Sequence, residues 1–136
     1  RGDLKVDEHH TVEDTAIVLG ECFAKALGSK KGIERYGFAL PMDDAKAEVL
    51  LDFGGRTWLE WGVTLKREYV GDFPTEMARH FFASFCQSGL CNLHISAQGE
   101  NTHHILEAVF KAFARAVRQA IRQTGGGIPS SKGCLA

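Results

Sequence analysis

The hydrophobic positions of this chain follow two periods, one of three to four residues and one of two. Apolar residues at steps of three and four lie on one face of a helix. This pattern predicts helices over residues 11–27, 75–88 and 102–122. Glycines follow all three segments, as expected where helices end. Gly20 lies inside the first helix. A glycine there costs helix stability, so it predicts close packing against a neighbouring element.

Alternating apolar and polar residues predict strands between these helices. The clearest are residues 45–53 and 57–65, separated by Gly54 and Gly55. Two alternating runs around a short glycine turn predict an antiparallel hairpin. Residues 90–96 predict another strand, and residues 4–7 and 38–42 predict short ones, with Pro41 ending regular pairing.

Helices and strands mix without a regular strand–helix–strand rhythm, which predicts an α+β fold with a mainly antiparallel sheet. A strand, a His-His-x-x-Glu motif and a long helix occur in this order twice, which indicates a duplicated unit whose first copy is incomplete. We therefore expect one domain, with residues 1–30 ending the first repeat, residues 31–124 forming the second and residues 125–136 forming a flexible tail.

Bulk composition narrows the class of protein. The net charge of −1 gives no general attraction to nucleic acid or anionic membranes, and no apolar run approaches the roughly 18 residues of a membrane span. The four cysteines show no Cys-x-x-Cys pair. Reduced structural thiols in a cytosolic protein are the simplest interpretation, and thiolate ligation of a metal is the alternative.

The duplicated motif is the main candidate for chemistry. It reads His-His-x-x-Glu at residues 9–13 and again at residues 103–107. On a helix, residues four apart share a face, so His9 with Glu13, and His103 with Glu107, can hold one ion together. Imidazole and carboxylate with open positions suit Mn, Fe or Zn.

Adjacent histidines diverge by about 100° on a helix. His10 and His104 should therefore serve a different ion from their neighbours. Two motifs facing each other across a pseudo-twofold axis would give each of two metals two histidines and one glutamate. His80, four residues after Glu76, is a candidate fourth ligand for one ion.

Basic residues suggest what the metals act on. Lys111 lies one helical turn beyond Glu107, and Arg35, Arg56 and Lys132 lie in or beside glycine-containing turns. Together these cations predict binding of a phosphorylated substrate. For His94, and for the basic edge of the third helix, we expect no role in the site. That edge consists of Arg115, Arg118 and Arg122.

Five segments of the sequence resemble imidazoleglycerol-phosphate dehydratases, and the resemblance extends across essentially the whole chain. The segments are residues 7–15, 37–43, 101–108, 110–116 and 129–133. The resemblance implies a metal-dependent hydro-lyase that dehydrates imidazole glycerol phosphate to imidazole acetol phosphate in L-histidine biosynthesis. It also implies a cytoplasmic protein, or a plastid one in a plant, whose partner is a small phosphorylated imidazole rather than nucleic acid or membrane.

The family's fold and site carry over as expectations. The fold is a duplicated α+β unit with helices on one face of the sheet, ribosomal protein S5 domain 2-like. Trimers build a homo-oligomer of 24 subunits with two Mn²⁺ per active site at subunit interfaces. The implied metal ligands are His9, His10, Glu13, His80, His103, His104 and Glu107, of which Glu13 and Glu107 are assigned as catalytic. The implied substrate-binding residues are Arg35, Arg56, Lys111, Ser130 and Lys132.

The chain departs from the family pattern in three respects. The N-terminal segment, with a further ligand histidine and an acid/base glutamate, is expected to be missing, which leaves open whether this chain is active. Gly54 stands where serine is common, and Cys134 where a small aliphatic residue is usual. Two other classes remain as alternatives: a non-catalytic metal-binding scaffold and a di-metal hydrolase, although the latter would favour clustered aspartates as bridging ligands.

Overall fold

Three helices lie on one side of a five-stranded sheet, and the apolar stripes of the second and third are buried. The computed structural model describes residues 2–37 and 40–135. In chain order the elements are α1 (His9–Leu27), β1 (Tyr36–Gly37), β2 (Leu40–Met42), β3 (Ala45–Asp52), β4 (Trp58–Val63), β5 (Tyr69–Val70), β6 (Phe73–Pro74), α2 (Glu76–Gly89), β7 (Asn92–Gln98) and α3 (Thr102–Ala120).

The sheet is built around β3 and β7, which pair antiparallel along their whole length. β1 and β2 pair with the other edge of β3, also antiparallel, and β4 pairs with β7 in parallel. Alternate residues of β3 and β7 are buried beneath the helices while the others face outward. The prediction of an α+β fold with a mainly antiparallel sheet and helices on one face is therefore confirmed.

The predicted hairpin between residues 45–53 and 57–65 is wrong. β7 lies between β3 and β4, and the backbone N–H groups of Gly55 and Trp58 donate to Leu90 and Cys91 at the entrance to β7. β4, α2 and β7 form a parallel crossover, so one strand–helix–strand unit does occur. Period-two patterning marks the strands, but the choice of neighbour depends on β7, which must bury Leu93 and Ile95 in the centre.

The predicted strand at residues 4–7 is also wrong. Residues 4–6 form a turn, and Leu4 and Val6 are 66% and 74% exposed. Within residues 2–37 and 40–135 no strand lies beside them, so their backbone has no ladder to join. In the 38–42 segment, Phe38 and Ala39 lie outside the described residues. Pro41 does not end pairing there but sits within β2, a position that a strand at the sheet edge tolerates.

Helix α1 begins at His9, two residues earlier than predicted. The side-chain carboxylate of Asp7 accepts the His9 N–H at 2.9 Å, which satisfies one free donor of the first turn. The helix ends at Leu27, and Gly28 follows with a positive φ of 50°. The whole first motif is therefore helical, as the i, i+4 argument requires.

Packing between helices rests on small and aromatic residues. In the α2–α3 contact, the ring of Phe82 lies 5.0 Å from Phe110, and Phe85 lies 5.0 Å from Phe113. Helix α1 packs on α2, where Gly20 meets the backbone of Phe85 and Gly89. This confirms the close approach predicted from Gly20. Among the described residues, no helix is long and apolar enough to cross a membrane.

Candidate metal centre and anion cleft

The first motif joins His80 in a three-residue cluster. His9 and Glu13 come from the start of α1 and His80 from the second turn of α2. Glu13 Oε1 lies 3.1 Å from His80 Nε2, and Glu13 Oε2 lies 3.9 Å from His9 Nε2. The rings of His9 and His80 are 4.5 Å apart. Within residues 2–37 and 40–135, His9, Glu13 and His80 are the group of His, Cys, Asp or Glu side chains that could hold a metal ion, since their ligand atoms all lie within 4.8 Å of one another.

The chemistry of the cluster fits a divalent cation. Nitrogen and oxygen ligands at about 2.1 Å from an ion lie roughly 3–3.5 Å from one another. The 3.1 Å between Glu13 and His80 matches this spacing, and the 3.9 Å between Glu13 and His9 is somewhat longer. The His80 Nε2 atom is buried, and it makes no hydrogen bond of acceptable geometry within the described part of the chain, although Glu13 is near. A buried polar atom without a partner is costly. A cation between His80, Glu13 and His9 would satisfy it.

The second motif forms a separate cluster at the start of α3. His103 Nε2 lies 3.3 Å from Glu107 Oε2, and Lys111 Nζ lies 2.7 Å from Glu107 Oε1. The hydrogen bond from Lys111 is the main cause that lowers the pKa of Glu107 below its usual value. Asn101 caps this helix, since its side-chain oxygen accepts the N–H groups of His103 and His104. Glu107 is thus held as a carboxylate beside its histidine.

The second histidine of each motif points away from the first. Ring centroids of His9 and His10 are 6.1 Å apart, and those of His103 and His104 are 6.0 Å apart, both in edge-on orientation. His10 faces a groove beside α1 that Asp14 also lines. This divergence is what the helical spacing predicts, and it leaves His10 and His104 free of their neighbours' clusters.

His104 instead contacts Asp44, a residue that the sequence did not single out. Its Nδ1 hydrogen-bonds the Asp44 carboxylate, which raises the pKa of His104. The same bond, with backbone N–H groups of Asn101 and Glu100, holds the pKa of Asp44 well below its usual range. The only sequence signal was the paired aspartate at residues 43–44, which also fits an ordinary turn.

Most of the predicted substrate-binding residues meet in a separate cleft of about 380 Å³. Its lining includes Arg35, Arg56, Ser130 and Lys132. Three formal positive charges and a hydroxyl converge there, which suits a phosphate group. Lys111 lies elsewhere, beside Glu107.

Arg35 is the most firmly held residue of this cleft. Its Nε and Nη2 donate to the two carboxylate oxygens of Asp52 at 2.5 and 2.9 Å, and Nη1 donates to the Pro129 carbonyl at 2.9 Å. The hydrogen bond to Asp52 raises the pKa of Arg35 above its usual value. Asp52 thus joins the arginine to the sheet, and Pro129 joins it to the tail. No sequence motif predicts this role of Asp52.

The histidine clusters and the cleft lie at opposite ends of the sheet. Asp44, beside the start of α3, precedes β3, and Asp52, in the cleft, is its last residue. Eight residues of strand at about 3.3 Å each separate them by roughly 25 Å. All three helices run in the same direction. Along the α1–α2 contact, Glu13 lies beside His80 and, further along both helices, Gly20 lies beside Gly89. Along the α2–α3 contact, Phe82 meets Phe110 and Phe85 meets Phe113, again in the same order. Both histidine clusters therefore lie at one end.

Among the described residues, the cysteines take no part in the candidate metal group, although Cys134 lines the cleft. Cys86 and Cys91 are buried thiols, and Cys22 and Cys134 are exposed. A hydrogen bond with Cys86 and burial raise the pKa of the Cys91 thiol, which keeps it protonated and a poor metal ligand. The geometry favours reduced structural thiols over thiolate ligation.

Fold and site together define an α+β protein with histidine–carboxylate clusters able to hold a divalent cation and a separate basic cleft. Comparison with known proteins gives the family. The family model for imidazoleglycerol-phosphate dehydratase matches residues 1–117, and the chain belongs to this family.

Curated relatives and solved structures agree. The chain is 56% identical to the histidine biosynthesis bifunctional protein HisB of Spirosoma linguale, covering 98% of this chain and 36% of the relative, and 58% identical to HisB of Bacteroides fragilis, covering 99% and 37%. It thus spans just over a third of the length of these relatives.

Two solved structures share the fold. Imidazoleglycerol-phosphate dehydratase of Staphylococcus aureus matches with a TM-score of 0.83 at 39% identity, over 86% of this chain and 70% of that one. The Pyrococcus furiosus protein of the same family matches with a TM-score of 0.86 at 31% identity, over 99% and 74%.

Proposed function

We propose that this chain takes part in the metal-dependent dehydration of imidazole glycerol phosphate to imidazole acetol phosphate in L-histidine biosynthesis, as a hydro-lyase. One observation within the chain carries this proposal beyond family membership. His9, Glu13 and His80 converge from two helices, and the buried His80 Nε2 makes no hydrogen bond within the described residues. A non-catalytic scaffold would explain this cluster but would leave the basic cleft without a purpose.

The proposed cofactor is Mn²⁺, two ions per active site, with Fe or Zn as other candidates of the same ligand chemistry. His9, Glu13 and His80 would hold one ion, and His103 and Glu107 the other. His10 and His104 would complete sites formed with a facing copy. When bound, the metals supply Lewis acidity, which lowers the cost of deprotonating the imidazole ring and of developing charge on oxygen. Glu13 and Glu107 are the catalytic carboxylates of this scheme because each fixes an ion.

The cleft residues would hold the phosphate of the substrate. Arg35 lines the cleft and is held in place by Asp52 and the Pro129 carbonyl, while Arg56, Ser130 and Lys132 line the remainder. Anchoring a phosphate fixes the orientation of the reacting carbons relative to the metals. We propose that the tail, residues 125–136, helps to enclose the bound substrate and exclude water. The division of the chain at residues 30 and 124 remains a prediction.

The separation of the two ends of the sheet supports a shared active site. A single copy keeps its cleft roughly 25 Å from its own histidine cluster, estimated along β3. A small phosphorylated imidazole cannot span that distance. We therefore propose a homo-oligomer, a 24-subunit particle built from trimers, in which the cleft of one copy faces the metals of another. The proposed setting is the cytoplasm, or the plastid in a plant, with neither nucleic acid nor membrane as a partner.

The test compares His80→Ala with the matched variant His94→Ala. His94 is an exposed histidine on the outer face of β7, away from the clusters. We expect the parent chain to bind Mn²⁺ and to form imidazole acetol phosphate. His80→Ala should lose the Mn²⁺ of the first cluster and turnover together, because it removes a ligand from that cluster. His94→Ala should retain both. Unchanged metal content and turnover in His80→Ala would contradict the proposal, as would a parent chain that binds metal without turnover.

A further inference from the structure

Asp44 connects three parts of the chain through one carboxylate. It lies in the turn that leads into β3. Its Oδ2 accepts the backbone N–H groups of Glu100 at 2.8 Å and Asn101 at 3.0 Å, in the loop before α3. Its Oδ1 contacts Nδ1 of His104. The two carboxylate oxygens of Asp44 therefore bind different partners. The backbone bonds to Oδ2 fix the orientation of the carboxylate, and this orientation directs Oδ1 at His104.

The contact with His104 has a specific chemical consequence. An ionised carboxylate only accepts hydrogen bonds, so Nδ1 of His104 must carry the proton. In a neutral imidazole this leaves Nε2 with a free lone pair, the form that binds a metal. The contact also fixes the plane of the ring. In metalloproteins a carboxylate on the second nitrogen of a ligating histidine raises metal affinity in this manner.

We propose that Asp44 is a positioning residue that holds His104 in the Nδ1-protonated tautomer, with Nε2 presented to a divalent cation. The inference rests on the proposed function to the extent that His104 is taken as a metal ligand. The inference assigns a role to Asp44, which lies outside the His-His-x-x-Glu motif. Asp44 prepares His104, the second histidine of the pair, to bind a metal.

Helix capping alone does not account for this arrangement. The N-terminus of α3 already has its cap, since the Asn101 side chain accepts the N–H groups of His103 at 2.9 Å and His104 at 3.3 Å. The Asp44 bonds to Glu100 and Asn101 hold the preceding loop, and they use Oδ2 only. Oδ1 remains for the imidazole, so the histidine contact is a separate function of the same side chain.

Two substitutions separate positioning from structural support. In Asp44→Asn, the two backbone N–H groups require an oxygen at the Oδ2 position, so the new amide NH₂ must face Nδ1 of His104. Nδ1 then becomes the acceptor and the proton moves to Nε2, where it blocks metal binding. Asp44→Ala removes the loop support but leaves the ring free to choose either tautomer. Positioning therefore predicts that Asn binds Mn²⁺ more weakly than Ala. Structural support predicts the reverse order.

The assay is titration of the full chain with Mn²⁺ alone, following free Mn²⁺ by electron paramagnetic resonance. We expect Asp44→Asn to weaken binding about 10–100-fold, the range typical of such partners, with Asp44→Ala in between. Asp43→Asn is the matched control. It removes the same charge from the neighbouring exposed residue and should bind close to the parent value, because screened surface charges contribute little.

A second readout is independent of metal and turnover. Nitrogen-15 NMR of the metal-free chain should show His104 protonated at Nδ1 in the parent and at Nε2 in Asp44→Asn. The inference is overturned if the parent shows the Nε2-protonated form, or if Asp44→Asn binds Mn²⁺ as tightly as the parent. If the tautomer and affinity results hold while the chain gives no dehydration, the proposed function fails and the role of Asp44 stands.

Discussion

Replacing Gly20 by alanine tests how the cluster of His9, Glu13 and His80 is held together. A Cβ at this position would lie 2.0 Å from Ser88 Oγ and 2.7 Å from both the Gly89 nitrogen and the Phe85 carbonyl oxygen. Ser88 can turn its hydroxyl away, but the other two atoms are backbone of α2. To accommodate the methyl group, α1 and α2 must move apart at this crossing.

The expected cost follows from two opposing effects. Alanine in place of glycine inside a helix gains about 1 kcal/mol in propensity. Overpacking a tight contact costs about 1–3 kcal/mol, and contact with immobile backbone places this site at the upper end. The net loss should be about 2 kcal/mol in the free energy of unfolding. For a chain of this size, that corresponds to a fall in Tm of roughly 6–8 °C.

The same movement should disturb the candidate metal ligands of the first cluster. Glu13 and His80 face each other across the α1–α2 contact two turns before Gly20, so separating the helices should widen their 3.1 Å approach. We expect Gly20→Ala to lower both Tm, measured by calorimetry without metal, and Mn²⁺ affinity. Adding Ser88→Ala removes only the hydroxyl clash and should restore only part of the loss. A Gly20→Ala chain as stable as the parent would refute the close packing described here.

Two further predictions concern the anion cleft and the second cluster. Arg56→Ala should lower kcat/KM for the phosphorylated substrate about 10–100-fold, mainly through KM, because a charged hydrogen bond contributes about 1.5–3 kcal/mol. Steady-state kinetics measures this change. The control is Arg118→Ala, which lies on the solvated edge of α3. The lowered pKa of Asp44 stabilises the fold above the unfolded value of about 3.9, and the raised pKa of His104 stabilises it below about 6.5. The metal-free chain should therefore lose stability as pH falls through the lowered Asp44 value or rises through the raised His104 value. Tm profiles of the parent and Asp44→Asn that run parallel across pH would contradict this.

The sequence predicted those features that depend on local periodicity. All three helices lie within two residues of their expected bounds because each carries a continuous apolar stripe. The i, i+4 spacing correctly placed His9 beside Glu13 and His103 beside Glu107. Gly20 correctly indicated close packing. Each of these inferences needs only the geometry of one helix.

Features that depend on distant partners could not be predicted in this way. β3 and β4 alternate correctly, but nothing local specifies that β7 inserts between them. The sequence places Glu76 four residues before His80, but the carboxylate beside His80 is that of Glu13 on α1. The roles of Asp44 and Asp52 are not predictable from the sequence, because an aspartate in a turn or at a strand end is common and has no periodic signature.

The arrangement of the three helices bears on how the active site can be completed. Because they run parallel, the start of each helix, and therefore both His-His-x-x-Glu motifs, lies at the same end of the sheet. Arg35 is fixed at the other end by Asp52, which is itself part of β3, so no rotation of side chains brings the cleft to the histidine clusters. Closing the gap within one copy would require unfolding β3 itself, because the length of this strand sets the distance. Supplying the cleft from another copy requires no change in the fold. The shared site is therefore the arrangement that the proposed chemistry favours.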